Sequence, residues 1–156
     1  MTTLYTAWKD LAAEANEDGF VCDIVIADTT ITDWSFFFRF LSKFRLMPSY
    51  WGTSTQQLPE ALDDSFFDES KFIALEVEGL RIECIVSDPQ EIELFVRPPS
   101  ITTMPQITSF FNFVADLGLF LKKEVALRVE GSKRPSIRFS PVSNSFSTGK
   151  GGWLER

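Results

Sequence analysis

Residues 71–86 read Lys71-Phe72-Ile73-Ala74-Leu75-Glu76-Val77-Glu78-Gly79-Leu80-Arg81-Ile82-Glu83-Cys84-Ile85-Val86. Ile73, Leu75 and Val77 alternate with polar or small residues, the period of a strand with one buried face. Glu78-Gly79 suits a two-residue hairpin turn. Such a turn pairs Val77 with Leu80, Leu75 with Ile82 and Ile73 with Cys84, so all six side chains share one face. Pattern and turn agree on this register, and a slip of one residue would reverse every side chain. After Asp88-Pro89-Gln90, the set Ile92, Leu94 and Val96 joins that face if Val86 pairs with Ile92.

The opposite face then carries Phe72, Ala74, Glu76, Arg81, Glu83, Ile85, Glu93, Phe95 and Arg97. Glu76 is expected opposite Arg81, Glu83 beside Phe95, and Glu93 beside Ile85. Two phenylalanines and an isoleucine among acids are not typical of a fully exposed sheet surface. Either the chain covers them, through residues 49–70 or its C-terminal tail, or a partner does. An aromatic anchor within a charged rim is also the composition of a protein interface. Phe72, Glu76, Arg81, Glu83, Glu93 and Phe95 are therefore the candidate interface residues.

Upstream, Leu4, Trp8, Leu11, Ala12 and Ala15 recur at helical spacing, and Gly19 is placed to end that helix. Phe20 to Ala27 reads as a strand rich in β-branched residues. Thr32 then suits the N-cap of a helix with Asp33 in its first turn and Trp34, Phe37, Phe38, Leu41 and Phe44 as its apolar stripe. Arg39, Lys43 and Arg45 load its opposite side or its end, and Pro48 closes it. Tyr50-Trp51-Gly52-Thr53 suits a short strand, and residues 56–70 an acidic loop or helical turn.

Downstream, Pro98-Pro99 interrupts the chain. Thr103 or Met104 opens a second long helix with Pro105 in its first turn. Ile107, Phe110, Phe111, Val114, Leu117 and Leu121 form its stripe, and Gly118 on the same side implies close packing. Val125, Leu127 and Val129 mark a strand, residues 131–135 a turn, and Ile137 with Phe139 a last short strand. The expectation is an α+β fold: a largely antiparallel sheet with two long helices packed on one face, plus an N-terminal helix. A single domain over residues 1–140 is expected, followed by a flexible tail over 141–156 in which Phe146 and Trp153 are candidates to dock. Phe36, Phe40 and Phe113 lie off the main stripes. That suits helices sandwiched between the sheet and another element, or a cavity for an apolar ligand.

Composition removes several chemistries. The 156 residues contain no histidine, which excludes Ser-His-Asp and Cys-His arrangements and zincin-type sites. There is no phosphate-binding G-x-x-x-x-G-K-[ST] and no G-x-G-x-x-G. Cys22 and Cys84 are too far apart for a CxxC motif and sit in apolar runs, where a free cysteine acts as a small hydrophobe. The net charge is −7, and Gln57 to Glu93 alone carry −9, with eleven carboxylates against Lys71 and Arg81. That balance disfavours nucleic acid and anionic membranes and favours a basic protein partner. Asp63, Asp64, Asp68 and Glu69 are the carboxylates nearest to a calcium or magnesium site, but they lack EF-hand spacing, and no metal or other cofactor is expected. No apolar run reaches the ~20 residues of a membrane span, and no signal-peptide pattern opens the chain, so a cytoplasmic protein, monomeric or homodimeric, is expected.

The runs Thr29-Thr30-Ile31-Thr32-Asp33-Trp34-Ser35-Phe36-Phe37 and Leu58-Pro59-Glu60, the Glu78-Gly79 turn, Glu91-Ile92-Glu93 followed by Pro98, and Lys123-Glu124-Val125 together carry a resemblance. Over Phe20 to Pro141 the chain resembles small acidic bacterial domains of unknown function, including immunity proteins that neutralise toxins from neighbouring bacteria. The resemblance implies a non-catalytic protein that occludes a basic toxin through an acidic, aromatic-bearing surface. Two other classes stay open: an α+β domain holding an apolar small ligand in a phenylalanine-lined cavity, and an enzyme working through carboxylates.

Overall fold

The computed structural model describes residues 2–18, 21–48, 58–59, 61–132, 135–149 and 151–156. Among them are helices α1 (Leu4–Asp18), α2 (Ile31–Leu41) and α3 (Met104–Leu121). The strands are β1 (Cys22–Ala27), β2 (Arg45–Met47), β3 (Lys71–Val77), β4 (Leu80–Val86), β5 (Glu91–Val96), β6 (Val125–Val129), β7 (Ile137–Ser140), β8 (Ser145–Thr148) and β9 (Trp153–Leu154). They form one antiparallel sheet in the order β2-β3-β4-β5-β1-β6-β7-β8-β9. The fold is α+β, as expected. The helices cover one face of the sheet; the other is called the outer face below.

The β3–β4 register is the expected one, with Val77 opposite Leu80, Leu75 opposite Ile82 and Ile73 opposite Cys84. Glu78 (φ 48°) and Gly79 (φ 84°) both have positive φ, the signature of a type I′ turn, whose twist matches that of the flanking strands. Glu83 lies opposite Phe95 and Ile85 opposite Glu93, so the pattern extends through β5. Ile73, Leu75, Ile82, Cys84, Ile92 and Leu94 are fully buried beneath the helices.

α2 begins two residues earlier than expected: Thr30, not Thr32, is the N-cap. Thr30 Oγ1 accepts from the Asp33 amide (3.3 Å) while the Asp33 carboxylate accepts from the Thr30 amide (3.0 Å). Only Thr30 has an acid three residues on, and this reciprocal capping box selects it. The helix ends at Leu41, so Phe44 lies beyond it and Arg45 starts a strand. Trp34 hangs α2 on the β4–β5 loop by donating from Nε1 to the Pro89 carbonyl (3.0 Å). In α3, Thr103 caps with Gln106 in the same way, and Gly118 lies against β7. A Cβ there would stand 2.6 Å from the Phe139 ring, so close helix–sheet approach requires glycine.

The C-terminal segment is not the flexible tail expected from its Ser, Gly and Asn content. Residues 145–148 and 153–154 are β8 and β9, which extend the sheet past β7. Phe146 is buried and packs on Phe139 (ring centroids 4.9 Å) and Phe111 (5.2 Å). Leu154 docks and Trp153 stays exposed. β9 is tied back to the N-terminus, with the Leu4 amide donating to the Glu155 carbonyl and the Glu155 amide to that of Thr2. The expected strand over residues 50–53 lies outside the described residues; Asp64–Phe67 is a 3-10 turn. No helix among the described residues is long and apolar enough to cross a membrane.

Candidate functional site on the outer sheet face

Strand alternation assembles the outer face. β3 brings Phe72 and Glu76, β4 brings Arg81, Glu83 and Ile85, and β5 brings Glu91, Glu93 and Phe95. All six candidate interface residues therefore share this face, but two of them are buried: Glu83 is 3% exposed and Phe95 8%. The chain itself covers that end of the surface. Arg81 donates to the Pro48 carbonyl, which holds Pro48 beside β4.

The ion pairs also differ from simple cross-strand pairing. Glu76 stands opposite Arg81 in register, yet its carboxylate accepts from Arg45 of β2 (2.9 Å). The Arg81 guanidinium turns along its own strand to Glu83 Oε1, with Nε at 3.2 Å and Nη2 at 3.0 Å. β2, read from sequence as the end of a helix, supplies the competing cation. The exposed Arg45–Glu76 pair adds little stability. The Arg81–Glu83 pair is well shielded, and removing one partner would strand a buried charge.

Beyond Glu83 the face opens into a hollow of about 490 Å³. Its floor is apolar: Val21 of the loop into β1, Phe72, Ile85 and Phe95. Its rim is mainly acidic: Asp23, Glu93 and Glu130, with Arg97 as the cation. Asp23 and Glu130 come from β1 and the end of β6, which flank one another because β1 pairs with β6 as well as β5. Sequence reasoning missed both. Asp23 is the one charge in the apolar run from Val21 to Ala27, and nothing in the sequence marks β1 as the neighbour of β5.

Carboxylates accumulate here faster than cations. The Asp23 carboxyl is pushed up to about 6, by burial first and then by Glu93, with Glu130 and Glu91 adding to it against Arg128. Glu93 is likewise raised, by burial and then by Glu91, with Arg128 opposing. Arg128 pairs with Glu91 at 4.0 Å, one cation among four carboxylates. A positive charge delivered from outside would relieve both carboxylates.

Elsewhere the sequence candidates have structural roles. Asp63 caps the 3-10 turn by accepting from the Ser65 amide (3.0 Å), and its carboxyl is lowered chiefly by the Ser65 hydroxyl. Among the described residues no group of three or more Cys, Asp or Glu side chains is arranged to hold a metal ion. Cys22 and Cys84 are free and buried, and burial raises both thiols far above their ordinary value, which makes them poor nucleophiles. The off-stripe phenylalanines meet one another: Phe40 lies 5.7 Å from Phe113, and Phe44 5.5 Å from each of them. No family model matches this chain, and neither a curated protein nor a solved structure does.

Proposed function

We propose that this is a non-catalytic binding protein that seats a basic partner protein on the outer face of its sheet. The observation that carries the reading is the hollow with an apolar floor and an acidic rim over Asp23, Glu93 and Glu130. A lysine or arginine suits it chemically, because its methylene stem packs on Phe72 and Ile85 while its charge reaches the carboxylates. The resemblance to bacterial immunity proteins supplies the kind of partner: a basic toxin whose working surface is occluded.

Affinity capture from the source organism, with identification of the captured protein, tests this. The partner should be basic, and its association should slow as salt rises. Reversal of charge at Glu93 and Glu130 should slow association. Replacing half-buried Phe72 by Ser should speed dissociation about tenfold or more. Phe95 is the poorer probe, since its burial makes truncation a test of folding too. Binding indifferent to all three changes would remove the outer face from the reading.

A second reading is favoured by a groove of about 320 Å³ between the starts of α1 and α3 and the C-terminal strand. Leu4, Ile107, Phe111 and Phe146 line it and Arg156 stands at its lip, a setting for an apolar small molecule with an anionic end. Titration with dodecanoate followed by calorimetry separates this reading from the first, because only ligand in the groove should be sensitive to Ile107→Trp.

A further inference from the structure

The helical side carries a second surface, opposite in polarity to the outer face and independent of the reading above. α2 and α3 run antiparallel: Phe36 meets Phe120 (6.4 Å), Phe40 meets Phe120 (5.6 Å) and Phe113 (5.7 Å), and Phe44 meets Phe113 (5.5 Å). Phe40 and Phe113 fill the seam, whereas Phe36 and Phe120 are 41% and 44% exposed at its end. Scattered exposed apolar residues are ordinary, but two exposed rings in contact on one seam form a patch.

Cations rim the patch. The Arg39 guanidinium lies 5.2 Å from the Phe36 ring, and the Lys43 ammonium lies 4.2 Å from Phe40. Both are exposed, and among the described residues neither lies within ion-pair distance of a carboxylate. Asp116, one turn before Phe120, is the acid on the same stripe of α3. The patch is thus net basic on a chain of net charge −7.

We infer that this seam docks an acidic protein segment, which sets an apolar side chain against Phe36 and Phe120 and its carboxylates against Arg39 and Lys43. Stacking on the rings holds Arg39 and Lys43 in place before binding, so little side-chain freedom is lost when carboxylates arrive. A second copy of the chain offers matching charge on its outer sheet face. That face lies across the sheet from the helices, however, so the contact would be head-to-tail and would not close around a two-fold axis. An anionic membrane would meet the same patch, and the test below separates it from a protein segment.

The test uses a short synthetic helical peptide with leucine and tryptophan on one face and glutamate on the other. Binding is followed through backbone amide shifts of the full chain. Shifts are expected at residues 36–43 and 119–122, with micromolar affinity. Arg39→Glu with Lys43→Glu, and separately Phe120→Ser, should each weaken binding about tenfold or more, while Lys43→Arg keeps it. An unchanged melting temperature shows that each variant is folded. Absence of shifts at these residues, or affinity indifferent to the charge reversal, overturns the proposal. So does binding to phosphatidylserine vesicles that the reversal abolishes while the peptide fails to bind, which would assign the patch to lipid.

Discussion

Asp23 puts a carboxylate on the outer face of the strand at the middle of the sheet, with Glu91, Glu93 and Glu130 nearby and Arg128 as the neighbouring cation. Its folded value of about 6 lies above the ordinary 3.8, so the folded state holds this proton more tightly than the unfolded one. The group therefore favours folding fully below the unfolded value, and that contribution is lost as pH rises through about 6. At neutral pH the ionised, crowded carboxylate opposes folding. Asp23→Asn should raise the melting temperature at pH 7.5 by about 2–4 °C, with the gain shrinking towards pH 4; no gain at pH 7.5 would mean that Asp23 is well compensated. Affinity for a basic partner on this face should fall between pH 7.5 and 5.5, as protonation removes the charge that the partner recognises. Asp23 stands out in the sequence as the single charge in its strand. Its neighbours could not be read there, because they come from strands distant in sequence.

At the scale of elements, local chemistry decided most starts and turns. The type I′ geometry of Glu78-Gly79 and the alternation around it specify one register, and the β3–β4 hairpin adopts it. Leu75 in that hairpin is fully buried, opposite Ile82 and beside Leu46 of β2. Leu75→Ala should lower stability by about 2–5 kcal/mol, through lost burial and an unfilled cavity. The check is a urea midpoint that moves while the slope stays fixed; a midpoint within error of the parent would mean that the site collapses without cost. Helix ends were less legible. Thr32 was expected to cap α2, but Thr30, with an acid three residues on, does so. β2 was missed because Arg45 to Met47 is strand only by pairing with β3, and three residues hold no periodicity of their own.

For the whole molecule, β1 is the instructive strand. It comes first in sequence and lies fifth in the sheet order, between β5 and β6, so neither of its neighbours adjoins it along the chain. The C-terminal strands close the same structure at its other edge, where Phe146 covers Phe111 and Phe139. Deleting residues 141–156 should therefore abolish the cooperative unfolding transition rather than trim a tail. Phe146→Ala should cost about 3–5 kcal/mol by the same urea assay; a deletion that melts like the full chain would show β8 and β9 to be dispensable. The polarity of the two sides is likewise a property of the assembled molecule, with carboxylates gathered at the outer hollow and Arg39 and Lys43 on the rings of the helical seam. By itself the sequence determined the α+β class, the central hairpin and its register, the buried stripes of α2 and α3, and the exclusion of histidine chemistry. Each follows from residue identity or from periodicities that act over a few positions. Tertiary structure alone decided that β1 lies beside β5, that Asp23 and Glu130 complete the rim, that Glu83 and Phe95 are buried, and that a Ser- and Gly-rich segment becomes sheet. Those outcomes depend on which strands meet, and distant pairing leaves no local signal in either partner.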